Sequence, residues 1–407
     1  MKCGLLGRKL GHSYSPQIHA LLGNYSYQLF EKEPEEIGDF LKNGDFTGLN
    51  VTIPYKKEVI PFLDELSPAA ARLGAVNTIV RRDGKLIGHN TDYFGFRRLV
   101  LESGLQVAGK KVLVLGSGGA SSTAVAVLQE LGAKVTVISR SGENNYENLD
   151  RHADAAIIAN TTPVGMYPNT GKSALSLEGF PRLEGVLDAV YNPARTQILL
   201  DAERRGLAAV NGLWMLVAQA KESAEWFTGE EIPDSRIAKI HHTLRLQMEN
   251  IILIGMPGCG KTAVGQQLAQ KLGKKFVDAD ESLEARVCRK ITDIIPNDGE
   301  AAFREMESET LAELGKQSGL VIATGGGCVT QPQNYPLLHQ NGTIFWLKRE
   351  LDKLPTDGRP LSQKGTLGQM YEARMPLYLR FADAAISNDG SIAETASAIC
   401  RKLEETT

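Results

Sequence analysis

The second half of the chain contains the run Gly255-Met256-Pro257-Gly258-Cys259-Gly260-Lys261-Thr262. An apolar segment, Asn250 to Ile254, precedes this run, and a helical pattern, Lys261 to Leu272, follows it. A glycine-rich loop between a strand and a helix leaves backbone N–H groups free to hold phosphates, while its lysine and threonine reach the terminal phosphates and Mg²⁺. The run therefore predicts an ATP-binding P-loop. Its expected nucleotide-binding residues are Gly258, Cys259, Gly260, Lys261, Thr262 and Ala263.

A second glycine-rich turn lies in the first half, as Gly116-Ser117-Gly118-Gly119-Ala120-Ser121. The pattern around it predicts a strand over Lys111 to Leu115, a helix over Ala120 to Leu131 and a strand over Val135 to Ile138. Such a βαβ unit can bind a dinucleotide pyrophosphate at the start of its helix, although glycines also occur in these turns for steric reasons. The expected contacts are Gly116, Gly118, Gly119 and Ala120.

The end of the next strand indicates which dinucleotide binds. NAD sites usually place an acid there for the ribose hydroxyls, whereas this chain has Ser139-Arg140-Ser141. A cation at this point favours the 2′-phosphate of NADP, and the alternative is a solvated surface arginine. We therefore expect Ser139, Arg140 and Ser141 to contact NADP(H).

Composition excludes several classes of protein. The 407 residues suffice for two to three domains, and a formal charge of −3 implies no broad basic surface for nucleic acid or an anionic membrane. The amino terminus does not resemble a signal peptide, and no stretch approaches the roughly 20 apolar residues of a membrane span. Five cysteines without a C-x-x-C pair argue against disulfides and zinc. We expect a soluble, cytoplasmic protein with free thiols, whose oligomeric state the sequence does not indicate.

A boundary between the two α/β systems is expected near Gln247. The segment Gly229 to Asp234 has turn composition, and a helix is expected from Ser235 to about Leu246. On this interpretation Met248 opens a new strand.

Small hydroxyl and amide side chains recur in four turn-prone segments before the first glycine-rich turn. These are Leu10 to Pro16, Asn50 to Lys56, Gly74 to Thr78 and Gly88 to Asp92. Such side chains can bind a polyhydroxylated molecule through many short hydrogen bonds, and each segment taken singly could be turn chemistry.

Together with Asn160 to Met166, Asp188 to Tyr191 and Gly212 to Ala220, these segments resemble the shikimate dehydrogenase family over residues 1–246. The resemblance implies an α/β substrate domain (1–92 with 213–246), a Rossmann NADP domain (93–212) and 3-dehydroshikimate as substrate. It makes Lys56 and Asp92 the catalytic pair and places Gly212 at the nicotinamide. The implied substrate contacts are Ser13, Ser15, Asn50, Thr52, Asn77, Asp92, Tyr191 and Gln219.

The chain departs from this family at two points. Ala20 stands where the family often has asparagine, and the loop after Arg140 lacks the second arginine that many members have.

An ordered set of motifs after the P-loop resembles the shikimate kinase family from Met248 to the carboxyl terminus, which implies an NMP-kinase-like α/β domain (248–407). The motifs are Phe276 to Asp280, Asp298 to Glu307, Gly325 to Gly327, Gly358 to Leu361 and Arg374 to Tyr378. The resemblance implies that Asp280 is the catalytic base and that Arg359 stabilises the transferring phosphoryl group. The implied shikimate contacts are Arg304, Gly325, Gly326, Gly327 and Arg374, and the implied Mg²⁺ ligands are Thr262 and Asp278.

The chain departs from the shikimate kinase family in two segments that are expected to lie near the adenine of ATP. The segment Leu347 to Gly358 is shorter than usual, and Ser387 to Gly390 lacks an arginine that some members place against the base.

Two alternatives to a bifunctional enzyme remain. A metabolite sensor without turnover should have lost Lys56, Asp92, Lys261 or Asp280, and all four are present. A quinate-oxidising enzyme that uses NAD is opposed by Arg140 and by the attached kinase.

Overall fold

A computed structural model of the chain describes residues 1–11, 13–354 and 367–405. The described chain forms two compact units. The first contains residues 1–165, 172–191 and 198–242, and the second contains residues 166–171, 192–197 and 243–407. The expected α/β class is confirmed, since strands alternate with helices along the chain and form three sheets. Among the described helices, none is both long and apolar enough to cross a membrane.

The first sheet, in the first unit, is mixed. Its strands have the order β2-β1-β3-β5-β6-β4, with β5 antiparallel to both β3 and β6. This segment consists of β1 (Lys2–Gly7), α1 (Ser15–Leu22), β2 (Ser26–Glu31), α2 (Ile37–Asn43), β3 (Gly48–Val51), β4 (Glu65–Leu66), α3 (Pro68–Leu73), β5 (Thr78–Arg82), β6 (Lys85–His89) and α4 (Asp92–Glu102). The register places Asn50 of β3 opposite Thr78 of β5.

The second sheet of this unit is parallel, in the order β11-β10-β9-β7-β8. Its elements are β7 (Lys111–Leu115), α5 (Gly119–Glu130), β8 (Lys134–Ile138), β9 (Ile157–Asn160), β10 (Gly185–Asp188), α6 (Gln197–Arg204) and β11 (Ala208–Val210). Strand β7, an interior strand between β9 and β8, is a continuous apolar run because helices cover both faces of a parallel sheet, and residues 112–115 are fully buried. The predicted βαβ unit is thus confirmed to within one residue at each boundary.

Two helices follow, α7 (Leu213–Thr228) and α8 (Ser235–Met248). Helix α7 packs against α4 at Gly95, where a Cβ would lie 2.6 Å from the carbonyl oxygen of Met215. The expectation that Met248 opens a strand is wrong, since Gln247 and Met248 lie in the last turn of α8. No glycine or proline interrupts the helix there, and the buried Met248 side chain stabilises that turn.

The third sheet, in the second unit, is parallel with the order β13-β14-β12-β15-β16. Its elements are β12 (Asn250–Ile254), α9 (Lys261–Leu272), β13 (Lys275–Asp278), α10 (Ala279–Val287), α11 (Ile291–Lys316), β14 (Leu320–Ala323), α12 (Asn334–His339), β15 (Gly342–Lys348), α13 (Leu367–Phe381), β16 (Ala384–Ser387) and α14 (Ile392–Glu405). A kink in α11 lies at Gly299, whose φ of +88° is readily adopted only by glycine. The core of this unit lies around β12, where residues 251–254 are almost fully buried.

Candidate active sites

In the first unit, Lys56 and Asp92 form a close ion pair. The Lys56 Nζ lies 2.6 Å from the Asp92 Oδ2, and the two side chains are 29% and 13% exposed. Asp92 begins α4, where the helix dipole favours a carboxylate, and Lys56 lies in the turns after β3. The Lys56 carbonyl accepts a hydrogen bond from the Val76 N–H at 2.7 Å, which ties this turn to the segment that carries Asn77.

Two of the predicted substrate contacts, Asn50 and Asn77, converge on one buried polar cluster. Gln219 borders this cluster with its main-chain carbonyl, while its side chain donates to the Leu216 carbonyl at 2.9 Å. The Asn50 amide donates to the Ser223 hydroxyl at 2.8 Å, and the Asn77 amide donates to the Thr91 hydroxyl at 3.0 Å. The Ser223 hydroxyl in turn donates to the Gln219 carbonyl at 2.8 Å. Side chains from β3, β5 and α7 are thereby held at one place.

The other predicted substrate contacts lie near the start of α1 and the ends of β3 and β10. The Ser13 hydroxyl accepts a hydrogen bond from the Ser15 N–H at 3.2 Å. Tyr191 stands edge-on to Tyr14, with ring centres 6.1 Å apart, so residues after β10 contact the start of α1. Thr52 follows β3 and its N–H donates to the Leu6 carbonyl, with no side-chain link to the cluster among the described residues.

The turn after β7 can admit a phosphate group. Gly116 has a φ of +104°, Gly118 caps the amino end of α5, and a Cβ built on Gly118 or Gly119 would meet no atom within 4 Å. Open space above the first N–H groups of a helix is the geometry that binds an anion. At Gly212 a side chain would not fit, because a Cβ there would lie 2.1 Å from the Ala189 carbonyl oxygen.

Beyond β8, Arg140 and Ser141 are exposed. Arg140 forms no ion pair with the residues that the structure describes. Burial raises the pKa of the nearby Tyr146, and the Arg140 charge acts against that rise. The exposed guanidinium is therefore available to an external anion.

In the second unit, the P-loop has its expected shape. Gly255, Gly258 and Gly260 all have positive φ values, which L-side chains rarely adopt. The Lys261 ammonium is buried and donates to the carbonyls of Gly255 at 2.9 Å and Met256 at 3.1 Å. Cys259 has a fully buried side chain, and its carbonyl accepts a 2.6 Å hydrogen bond from the Asn388 amide.

The acidic residues expected to act in this unit lie at the carboxyl end of β13. The Thr262 hydroxyl donates to Asp278 Oδ2 at 3.0 Å, and Asp278 caps α10 by accepting the Asp280 N–H at 3.0 Å. Burial raises the pKa of Asp280 to about 6, and the neighbouring Asp278 and Glu307 carboxylates add to that rise. A carboxyl group with such a pKa can exchange a proton near neutral pH.

Arg304 is held by two carboxylates on its own helix, α11. Its guanidinium donates to Glu307 at 2.7 Å and to Glu300 at 3.1 Å, and both Arg304 and Glu307 are buried. Arg374, from α13, donates to the Gly326 carbonyl at 3.2 Å. The two arginines predicted to bind a carboxylate thus both border the triple-glycine segment.

The glycines of this segment allow a close approach. A Cβ on Gly325 would lie 2.6 Å from Glu307 Oε1 and 2.9 Å from Asp280 Oδ1, and one on Gly327 would lie 2.2 Å from Arg304 Nη2. A side chain at either position would displace the charged groups.

These residues surround one cavity of about 420 Å³. Its lining contains Pro257, Gly258, Gly260, Lys261, Thr262, Ala263, Asp278, Asp280, Ile291, Ile295, Phe303, Arg304, Glu307, Thr324, Gly325, Gly326, Gly327 and Arg374. The predicted kinase residues thus meet at this cavity, apart from Cys259, which does not line it, and Arg359, which lies outside the described residues.

Comparison with known proteins agrees with both sequence resemblances. Residues 5–79 match the family described as shikimate dehydrogenase substrate binding domain, and residues 257–404 match the family described as shikimate kinase. A shikimate dehydrogenase (NADP(+)) of Clostridium perfringens is 37% identical over 264 residues, which cover 60% of this chain and 97% of that protein. The chain belongs to the shikimate dehydrogenase family.

Solved structures of dehydrogenases match the same part of the chain. Shikimate 5-dehydrogenase from Thermus thermophilus, in complex with NADP(H) and shikimate, is 30% identical, with a TM-score of 0.54 over 60% of this chain and 99% of that one. Quinate dehydrogenase from Corynebacterium glutamicum, in complex with NAD, is 28% identical, with a TM-score of 0.55 over 60% of this chain and 98% of that one.

Sequence reasoning gave no role to several residues that the structure places at these sites. Thr78 and Thr91 lie inside the quoted dehydrogenase motifs, yet only the strand register places their hydroxyls at the Asn50 and Asn77 amides. Ser223 belongs to no motif. Glu307 is the last residue of the motif Asp298 to Glu307, and only its burial beside the cavity distinguishes it.

Proposed function

We propose that the chain is a bifunctional enzyme of aromatic amino acid biosynthesis. Its first half reduces 3-dehydroshikimate to shikimate with NADPH, and its second half phosphorylates the new 3-hydroxyl with ATP. The observation that carries the proposal is that each half has one acid–base side chain, Lys56 or Asp280, beside a cluster suited to a small polar ligand. The domain division at residues 1–92 with 213–246, 93–212 and 248–407 is part of the proposal.

The dehydrogenase site fits NADPH on two observations. One is the open space above Gly118 and Gly119, and the other is the exposed Arg140, which has no ion-pair partner within the described ranges. Bound NADPH supplies a hydride to the ketone carbon. As charge develops on the ketone oxygen, the Lys56 ammonium stabilises it and donates a proton to it. The Asp92 carboxylate orients the ammonium through the 2.6 Å ion pair.

The kinase site fits MgATP because the P-loop glycines have the required conformations and Thr262 and Asp278 present adjacent oxygens. Mg²⁺ is commonly held by one or two protein oxygens together with phosphates, and it supplies charge neutralisation there. Asp280, with a pKa of about 6, is mostly ionised at neutral pH and accepts the proton of the 3-hydroxyl. Arg304 and Arg374 bind the shikimate carboxylate.

A second candidate for the first half is quinate oxidation with NAD, which the match to a quinate dehydrogenase favours. Arg140 separates the two candidates, because an exposed cation after β8 suits a 2′-phosphate and gives no advantage to NAD.

A coupled assay tests the proposal. The purified chain is given 3-dehydroshikimate, NADPH and MgATP, while NADPH absorbance and shikimate 3-phosphate are followed together. We expect NADPH oxidation with or without ATP, and phosphate ester only when ATP is present. Failure to oxidise NADPH would refute the first activity, and accumulation of unphosphorylated shikimate in the presence of MgATP would refute the second.

A further inference from the structure

We infer that the hydroxyl groups of Thr78, Thr91 and Ser223 form a positioning network for the substrate-binding amides of the dehydrogenase. We call these three residues the hydroxyl triad. The inference rests on the proposed function, because Asn50 and Asn77 are substrate ligands only under that proposal.

The hydroxyl triad joins elements that are distant in sequence. Thr78 begins β5, Thr91 precedes α4, and Ser223 lies one turn after Gln219 on α7. All three residues are at most 1% exposed. A buried hydroxyl without a hydrogen-bond partner is costly, so three of them at one place require a closed set of partners.

The triad is such a set. The Ser223 oxygen lies 2.8 Å from the Thr78 oxygen and 2.9 Å from the Thr91 oxygen, and the two threonine oxygens are 3.2 Å apart. Ser223 uses its single hydrogen on the Gln219 carbonyl, 2.8 Å away. Its oxygen can therefore only accept, and its two lone pairs serve two of the three donors around it, Asn50, Thr78 and Thr91.

The direction of these hydrogen bonds fixes the orientation of the Asn50 side-chain amide. The Asn50 Nδ2 lies 2.8 Å from the Ser223 oxygen and 3.2 Å from the Thr78 oxygen. Its Oδ1 accepts a 2.7 Å hydrogen bond from the Tyr27 hydroxyl on the other side. With its hydrogen committed to Gln219, Ser223 has none for Asn50 Oδ1, so the reverse orientation of the amide would be unfavourable.

The Asn77 amide is fixed in the same way. Its Oδ1 accepts the backbone N–H of Thr91 at 2.7 Å, and its Nδ2 donates to the Thr91 hydroxyl at 3.0 Å. One N–H of Asn77 then has no partner among the residues that the structure describes. The group that Asn77 binds must therefore be a hydrogen-bond acceptor, such as a hydroxyl or carboxylate oxygen.

The hydroxyl triad should act on binding rather than on chemistry. Asn50 and Asn77 hold parts of the ligand that do not change charge during hydride transfer, so their contacts are equal in the ground and transition states. Loss of such a contact raises KM and leaves kcat unchanged.

Isosteric substitutions of Thr91 and Thr78 test this. Valine keeps the shape of threonine and removes the hydroxyl, whereas serine keeps the hydroxyl and removes a methyl group. In the oxidation of shikimate with NADP⁺, Thr91→Val and Thr78→Val should each raise the KM for shikimate about five- to tenfold, the effect of one buried hydrogen bond. We expect kcat and the KM for NADP⁺ to change less than about twofold, and Thr91→Ser and Thr78→Ser to remain near wild type.

Two controls separate positioning from folding. Thr228→Val removes a hydroxyl from the same helix as Ser223, and that hydroxyl donates to the Ala224 carbonyl and accepts the Glu230 N–H, with no hydrogen bond to the triad. This variant should keep the wild-type KM for shikimate. Kinase activity of each variant, measured on the same protein, should not change. If a valine variant does not fold, Ser223→Ala provides the same test with a smaller side chain, and calorimetric titration with shikimate measures binding without turnover.

A double-mutant cycle completes the test. If Thr91 acts through Asn77, then Thr91→Val should have little further effect on KM in an Asn77→Ala background. Serine variants as impaired as the valine variants would indicate packing, and would overturn the inference, as would additive effects in the cycle. A wild-type chain that cannot oxidise shikimate would instead refute the proposed function, whereas an active wild type with an unaffected Thr91→Val variant refutes only the positioning role.

Discussion

Replacing Asp280 by asparagine should stabilise the second unit while it removes the proposed kinase base. Burial, followed by the Asp278 and Glu307 carboxylates, raises the pKa of Asp280 from 3.8 to about 6. Each pKa unit corresponds to about 1.36 kcal/mol, so the ionised carboxylate reduces the folding free energy by about 3 kcal/mol at alkaline pH. Asparagine has a similar shape and does not ionise, so the variant should avoid this loss.

The pH dependence follows from the direction of the shift. The folded pKa of Asp280 lies above its unfolded value, so the folded state binds more protons between about pH 4 and pH 6. The stabilisation from this group is complete below that range and is lost as pH rises through it. Asp280→Asn should therefore exceed the wild type by about 2–3 kcal/mol at pH 8, and by roughly half of that at pH 5.

Hydrogen exchange of the full chain measures the stability of the second unit separately. The amides of β12 report unfolding of the second unit, and those of β7 provide an internal reference in the first. Glu281→Gln is the matched control, since Glu281 is an exposed carboxylate next to Asp280. In the same protein, Asp280→Asn should lower kinase kcat by roughly two to four orders of magnitude. An advantage that is absent at pH 8, or that grows as pH falls, would show that ionised Asp280 is not destabilising.

Three further substitutions test individual roles. Arg140→Ala should weaken NADPH binding by about 1.5–3 kcal/mol and leave NADH binding unchanged, with Arg151→Ala as an exposed control; equal losses for both cofactors would contradict the 2′-phosphate assignment. Lys56→Ala should lower reductase kcat by roughly two to four orders of magnitude without changing kinase rates, whereas Lys57→Ala should have no effect on either; a near-normal kcat would exclude Lys56 as the acid. Arg304→Lys keeps the charge and loses the bidentate fork, so steady-state kinetics should give a raised KM for shikimate at constant kcat, and a change in kcat alone would argue against carboxylate binding.

Local signals predicted the nucleotide-binding elements well. Strand β7 and the start of α5 were predicted to within one residue, because a buried apolar run followed by glycines leaves few alternatives. The same holds for α9 and for the apolar segment Asn250 to Ile254, whose bounds coincide with those of α9 and β12. The start of the new strand was misplaced at Met248 because nothing in the local sequence ends α8 before residue 248.

Long-range contacts could not be predicted in the same way. The Ser223 hydroxyl donates to the main-chain carbonyl four residues earlier in its helix. This hydrogen bond is common for serine in helices, so it indicates no function. Its proximity to Asn50 depends on the β3–β5 register and on the packing of α7. Likewise, the pKa of Asp280 depends on Glu307, 27 positions further along the chain, and its burial depends on the β13–β14 pairing.

Several candidate ligand-binding residues of both halves nevertheless follow one structural rule. Asn50, Gly116, Gly255, Asp278 and Gly325 all lie at or just after the carboxyl ends of strands. In a parallel sheet these ends converge on one edge, and the helices that follow point their amino ends at it, so free N–H groups and positive dipoles collect there. Anionic ligands, whether pyrophosphate, triphosphate or carboxylate, are thus favoured at that edge before any charged side chain is added. The side chains then determine the chemistry: an ammonium paired with a carboxylate suits proton donation to a ketone oxygen, and a partly buried carboxylate with a raised pKa suits proton removal from a hydroxyl.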